Sequence, residues 1–151
     1  MRLRHARVDE ADELSSLCHR SKAHWSYDEA FMTQSRASLT VSVDQISAGD
    51  VGVAEVEGAI AGMVALARLD EPGLVDLDKL FIEPSRIGTG VGQALFGVAV
   101  LTARQRGYVR MAILADPHAA KFYERLGAAY LGDRPSEAIA GRLLPYFELT
   151  L

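Results

Sequence analysis

Hydrophobic and polar positions alternate near both ends of the chain, and between them several stretches take up helical spacing. The opening RLRHARV alternates as a short strand, and Asp9 can cap a helix from about Glu10 to Lys22 whose first turn carries acids, where the helix dipole favours them. Ser26 with Glu29 makes a capping-box pattern, which predicts a second helix from Tyr27 to about Ser38. VGVAEVEGAIAGMVALARL then reads as two strands around a tight turn at Glu57 and Gly58.

LVDLDKLFI, residues 74–82, reads as a fourth strand between the breakers EPG and EPS. From Gly90 the spacing Val91, Leu95, Val98, then Leu101 or Thr102, predicts a helix with Arg104 and Arg106 in its last turn and Gly107 just beyond it. YVRMAILA follows as a fifth strand, and Pro117 begins a helix that runs to about Leu126 and stops at Gly127. A strand near 128–132 and a last one in LPYFELTL complete the chain. Strand, helix, strand between 74 and 115 makes the fourth and fifth strands a parallel, right-handed pair. The expected class is mixed α/β.

At 151 residues the chain is expected to form one domain, and 49% hydrophobic with 24% charged residues is ordinary for a globular protein. A net charge of -4 without Lys or Arg runs argues against nucleic acid as a partner. Cys18, the single cysteine, cannot form an internal disulfide, which fits a reducing compartment. The N-terminus lacks the apolar core of a signal peptide and no apolar run reaches about 20 residues, so no membrane partner and a cytoplasmic location are expected. Four scattered histidines suggest no metal.

FIEPSRIGTGVGQALFGVAVLTARQRGY places Gly88, Gly90 and Gly92 where a strand gives way to a helix. Glycines there let an anion approach the main chain at the positive end of a helix dipole, which suits a phosphate or pyrophosphate. A P-loop would need GxxxxGK[ST], but Gln93 follows Gly92; a dinucleotide fingerprint would need a third glycine where Gln93 stands.

LFIEPSRIGTGVGQAL followed by DPHAAKFYERLGA resembles the GNAT superfamily of acyl-coenzyme A-dependent N-acetyltransferases. The first segment is similar to that family's hydrophobic strand, proline and [Q/R]xxGx[G/A] helix start, and the second to its NxxAxxFYxxxGF segment. The family's Gln or Arg falls at Ile87, its Asn at Asp116 and its last Phe at Ala128. SKAHW and IAGRLLPYFEL are similar to a bacterial branch of the family. The resemblance implies the GNAT fold, a mostly antiparallel central sheet whose fourth and fifth strands are parallel, flanked by helices. It implies acetyl-coenzyme A as cosubstrate and an amine as acceptor, with the cofactor's arm beside main-chain groups of Leu80, Phe81 and Ile82. Its pyrophosphate would meet the amides of Ile87, Gly88, Thr89, Gly90, Val91 and Gly92, with Asp116 and Tyr123 near the arm. Homodimers are common in the family.

Acetyl transfer to an amine needs the nitrogen deprotonated, an oxyanion stabilised and the departing thiolate protonated. Tyr123 stands where the family often supplies a tyrosine near the sulfur, which suits a general acid or equally a packing role. Asp76 and Asp78, two apart on a strand, share one face; they can serve as base or simply attract a cationic acceptor. The oxyanion would meet a main-chain N–H near Leu80 to Ile82. His24, Trp25 and Tyr27 lie in the link that shapes the acceptor site in this family; such a cluster can hold an amine by cation–π contact or pack a helix junction. His118 reads as an exposed helix-start residue, Arg142 as a solvated loop residue, and Cys18 as a small core residue. The expected activity is direct acetyl transfer to a primary amine of a small molecule or peptide; the alternative is an acyl-coenzyme A-binding sensor without transfer.

Overall fold

The computed structural model describes residues 1–151. Its seven strands are β1 (Arg2–His5), β2 (Val51–Val56), β3 (Ala59–Arg68), β4 (Leu74–Ile82), β5 (Arg110–Leu114), β6 (Ala129–Pro135) and β7 (Leu143–Thr150). They form one sheet in the order β1-β2-β3-β4-β5-β7-β6, antiparallel except for the parallel β4–β5 pair. Helices α1 (Ala11–Ala23), α2 (Glu29–Ser35) and α3 (Val43–Ser47) precede β2; α4 (Val91–Gln105) and α5 (Ala120–Arg125) flank β5. This is the mixed α/β architecture expected. No helix is long and apolar enough to cross a membrane.

The sheet separates two cores. Leu95, Phe96 and Ala99 of α4 pack with Tyr123 of α5 and Phe147 on one face, while Leu14, Leu17 and Cys18 of α1 pack with Met63 on the other. On α4 the buried stripe is Val91, Leu95, Phe96, Ala99 and Ala103, so Leu101, expected as an inward alternative to Thr102, points to solvent instead. Gly107 has φ +85 and ends α4, with Tyr108 N–H reaching the Ala103 carbonyl at 3.0 Å and Gly107 N–H the Arg104 carbonyl at 3.0 Å.

Two predicted caps are corrected. Asp9 sits in a 3-10 turn ahead of α1 and caps nothing; the neighbouring Glu10 is buried, and accepts from Arg4 and from the Arg7 amide at 2.8 Å. A buried carboxylate that neutralises two arginines fixes the entry to α1 more firmly than a cap would. Ser26 has φ +63 and lies outside α2, which Asp28 caps by accepting from Phe31 N–H at 2.8 Å. The predicted helix to Ser38 breaks at Ser35, and α3, capped by Ser42, was not foreseen.

Gly62 of β3 answers a packing constraint. A Cβ there would stand 2.9 Å from Leu95 Cδ1, 2.9 Å from Ile82 Cδ1 and 3.1 Å from the Phe81 carbonyl. Gly62→Ala should therefore lower stability by about 1–3 kcal/mol through overpacking, read as a shift in the urea midpoint with unchanged slope. An unshifted midpoint would show that helix and strand yield freely.

Candidate functional site

The site is built where the ladder between β4 and β5 stops. β4 pairs with β3 along nearly its whole length, but with β5 only from Leu74 to Asp76. Beyond that rung β5 stays with β7, pairing through Leu114 and on to Ala115 N–H with the Pro145 carbonyl at 2.9 Å. The diverging strands leave a cleft of about 1390 Å³ that passes through the sheet. Glu83 N–H donates to the Ala61 carbonyl at 2.8 Å, so by strand alternation Phe81 also aims its main chain at β3, and Leu80 and Ile82 aim theirs into the fork. Phe81 was expected to share in that open edge and does not. Ile82 N–H reaches Ser21 Oγ at 3.3 Å, whereas Leu80 N–H faces the fork without a strand partner.

A bulge changes which face β4 residues occupy. Lys79 pairs with Ala65 and Leu77 with Leu66, so Asp78 is an extra residue between them. Val75 and Leu77 before the bulge, and Leu80 and Ile82 after it, all pack toward α4; Phe81 packs toward α1.

At one end of the cleft lies the glycine loop. Gly88 has φ +80 and Gly90 φ +91, and nothing lies within 4 Å of a Cβ built on either. Gly92 is different: it is helical, and its Cβ would meet the Phe122 ring at 3.5 Å. The first intrahelical bond of α4 runs from Ala94 N–H to the Gly90 carbonyl at 3.1 Å, which frees the N–H groups of Val91, Gly92 and Gln93. Gly88 and Gly90 N–H are also unpaired. Ile87 and Thr89, expected to offer amides, turn theirs to the Pro84 carbonyl at 3.4 Å and the Arg86 carbonyl at 3.3 Å. Gln93 takes their place, because helix geometry, not glycine content, determines which donors lack partners.

The opposite face of the sheet carries the acids. Asp78 is held by Lys79 at 2.6 Å and by Gln45 Nε2 at 3.1 Å. Asp76 borders the same cleft and makes neither hydrogen bond nor ion pair. Burial first, and then the charges of Asp78 and Glu137, push its carboxyl up to about 7 against the opposing pull of Lys79. The expected pair is thus divided: one acid is neutralised, the other is unpartnered. Glu137, in the connection between β6 and β7, was not anticipated.

Between the faces, Asp116 gathers the α1–α2 link. Lys22 Nζ lies 2.6 Å from its Oδ2, Tyr27 OH donates to it at 2.8 Å, and His118 N–H and Nδ1 lie 2.9 and 2.8 Å from Oδ1. Burial acts to raise this carboxyl, but Lys22, His118 N–H and Tyr27 outweigh it and hold it well below the usual range. Arg142, read from sequence as solvated, donates to Tyr27 OH at 2.8 Å and stacks over Phe31 at 4.8 Å. Trp25 stacks on His118 with centroids 4.6 Å apart and borders the cleft; His24 and Tyr27 do not border it. Lys22 escaped sequence reading because its partner lies 94 residues away.

Tyr123 is buried and lines the cleft from the α5 side, its hydroxyl without a hydrogen-bond partner. Burial, then the charge of Asp116, push the phenol far above its ordinary value, so it stays protonated. The end of α5 anchors it: the Tyr123 carbonyl accepts Ala128 N–H at 3.1 Å after the turn at Gly127. Cys18 is buried with Sγ 3.6 Å from Met63 Sδ, and burial pushes its thiol up to about 12. No group of three or more His, Cys, Asp or Glu side chains is arranged to hold a metal ion.

A family model described as acetyltransferase (GNAT) domain matches residues 47–127. No curated protein sequence matches significantly. Among solved structures, the PaiA N-acetyltransferase from Thermoplasma acidophilum in complex with coenzyme A is similar with a TM-score of 0.78 at 13% identity, over 99% of this chain and 98% of that one. The ribosomal-protein-alanine N-acetyltransferase from Brucella melitensis is similar with a TM-score of 0.73 at 19% identity, over 100% of both chains. A structure of yncA from Salmonella typhimurium with its cofactor acetyl-CoA has a TM-score of 0.71 at 19% identity, over 99% of this chain and 93% of that one. At these identities the likeness is one of fold.

Proposed function

Because the chain belongs to the GNAT acetyltransferase family, we propose that it passes acetyl from acetyl-coenzyme A directly to the primary amine of a small molecule or peptide. The observation that carries this reading is one cleft crossing the sheet, with unpaired amides at one end and unpartnered Asp76 at the other. The N–H groups of Gly88, Gly90, Val91, Gly92 and Gln93 suit a pyrophosphate, and the free edge at Leu80 and Ile82 suits the amides of the cofactor's arm. Acetyl-coenzyme A supplies the activated acetyl group.

Each remaining requirement has a residue. Asp76, with its carboxyl near 7, takes the proton that an ammonium must lose before its nitrogen can attack. Leu80 N–H is open toward the carbonyl oxygen, where charge develops. As the new C–N bond forms and the C–S bond breaks, Tyr123 holds a proton for the sulfur, since burial keeps its phenol protonated. Cys18 is buried, its thiol is hydrogen-bonded to Met63 and not to a base, and burial pushes that thiol up to about 12, which favours a ternary complex over an acyl-enzyme.

Acetyl-coenzyme A at a hundredfold excess over its Kd should stabilise the protein by about 2.7 kcal/mol in a thermal melt, and an amine panel should release free thiol. Tyr123→Phe should lower the transfer rate about a hundredfold while keeping that stabilisation. No melt shift would end the proposal. A shift without thiol release from any amine would point to a sensor, and full activity in Tyr123→Phe would remove the acid role.

A further inference from the structure

The acceptor half of the cleft has a charge pattern that its own side chains leave incomplete. On this face Asp78 pairs with Lys79, and Arg110 pairs with both Glu71 and Glu148. Of the cleft-lining ionisable groups without a counter-charge within 4.0 Å, Arg125 belongs to α5 on the other side, and three stand at this end: Asp76, Glu137 and Arg134. Two are acids and one is a cation, which is not the lining that a polyamine would select, since a guanidinium turned to the cleft repels its second charge.

The cross-strand register fixes where the unpaired groups stand. Asp76 pairs with Ala112, Ala112 with Glu148, Leu114 with Tyr146, and Arg134 with Leu144, so all of these side chains share one face. The Arg134 guanidinium lies 3.9 Å above the centroid of the buried Tyr146 ring. Tyr146 OH donates to Glu148 Oε2 at 2.7 Å, and Glu148 is itself held by Arg110 at 2.6 Å, so the platform beneath the guanidinium is fixed. Stacking on an aromatic face occupies the π surface of a guanidinium but leaves its in-plane N–H fork available, and that fork matches a carboxylate. The strand that carries Tyr146 lies two spacings from β4, about 10 Å, a gap bridged by one small molecule together with the two side chains.

We propose that the acceptor is a small amino carboxylate, whose amine is received at Asp76 and whose carboxylate is held by Arg134. This rests on the acetyltransferase reading above and narrows its acceptor class. Arg134 is a specificity residue: it holds a remote group of the acceptor and leaves the reacting nitrogen to Asp76. Its loss therefore weakens acceptor binding far more than the rate at saturation.

The test uses the full-length protein saturated with coenzyme A, so that no turnover occurs, titrated calorimetrically with linear amino carboxylates of increasing amine-to-carboxylate separation and with their carboxamides. At least one acid should bind tenfold or more tighter than its amide. Arg134→Ala should weaken that acid about thirtyfold, leave the amide unchanged, and retain the acetyl-coenzyme A melt shift, while Arg134→Lys should recover part of the loss. Equal binding of acid and amide, binding of neither, or equal weakening of both in Arg134→Ala would overturn the assignment. A wild-type melt shift with a failed titration overturns the acceptor class alone, whereas an absent shift overturns the donor reading.

Discussion

Replacing Asp76 with Asn is expected to lower kcat/KM for amine acetylation about a thousandfold, within the range general bases supply, with acetyl-coenzyme A binding intact. The carboxamide matches the carboxylate in size but cannot take a proton. In the wild type, kcat/KM should rise with pH and level off above about 7 as this carboxyl ionises; in the variant that limb should vanish. Stability should move the opposite way. A folded value above the unfolded one, near 4, means that folding favours the protonated acid, so Asp76 costs the fold progressively between about pH 4 and 7. Asp76→Asn should therefore melt higher than wild type at pH 8 and alike near pH 4. A variant that keeps a tenth of the activity, or the same pH limb, would remove Asp76 from the base role.

Asp116→Asn, which restores the residue the GNAT resemblance leads one to expect, should destabilise the protein by about 3 kcal/mol, the scale on which breaking a largely buried ion pair is felt. Lys22 and Arg142 are mostly buried against Asp116, at 2.6 and 3.7 Å, and a carboxamide leaves them facing a neutral group. For a chain of 151 residues that corresponds to roughly 6–12 °C in Tm. Because the folded carboxyl lies well below its unfolded value near 4, the stabilisation is fully present above that pH and is lost only as pH falls through the depressed folded value. Wild type and variant should differ at neutral pH and converge in strong acid. Adding Lys22→Met should recover part of the loss, because no uncompensated ammonium remains. Equal melting at pH 7 would show that the cluster is ornamental to the fold.

Features set by a few adjacent residues were legible in the sequence. The hairpin turn at Glu57 and Gly58 has φ +54 and +78, as a two-residue turn demands, and Gly107 and Gly127 end their helices where expected. The glycine turn into α4 was also readable, although which amides it frees depends on hydrogen bonds the letters do not display. Ser26 misled because Asp28 offers a competing cap two residues on, and backbone bonding chose the latter. The bulge at Asp78 has no local signature: it arises from how β4 meets β3. Asp76 and Asp78 look equivalent as letters, yet Lys79 neutralises one and leaves the other alone. The clusters around Asp116 and Arg134 join residues far apart in the chain and become visible only when the fold brings them together.

The bulge in β4 divides labour along a single strand. Past it, the edge proposed to face the cofactor is made of main-chain atoms of Leu80 and Ile82, which every amino acid except proline supplies alike; before it, the acceptor of the proposed reaction would meet a side chain, Asp76. On that proposal donor recognition would be insulated from substitution, while acceptor recognition would be exposed to it. A lineage built on this strand can exchange the residues at its first half and acquire a new acceptor without having to reinvent its acetyl source.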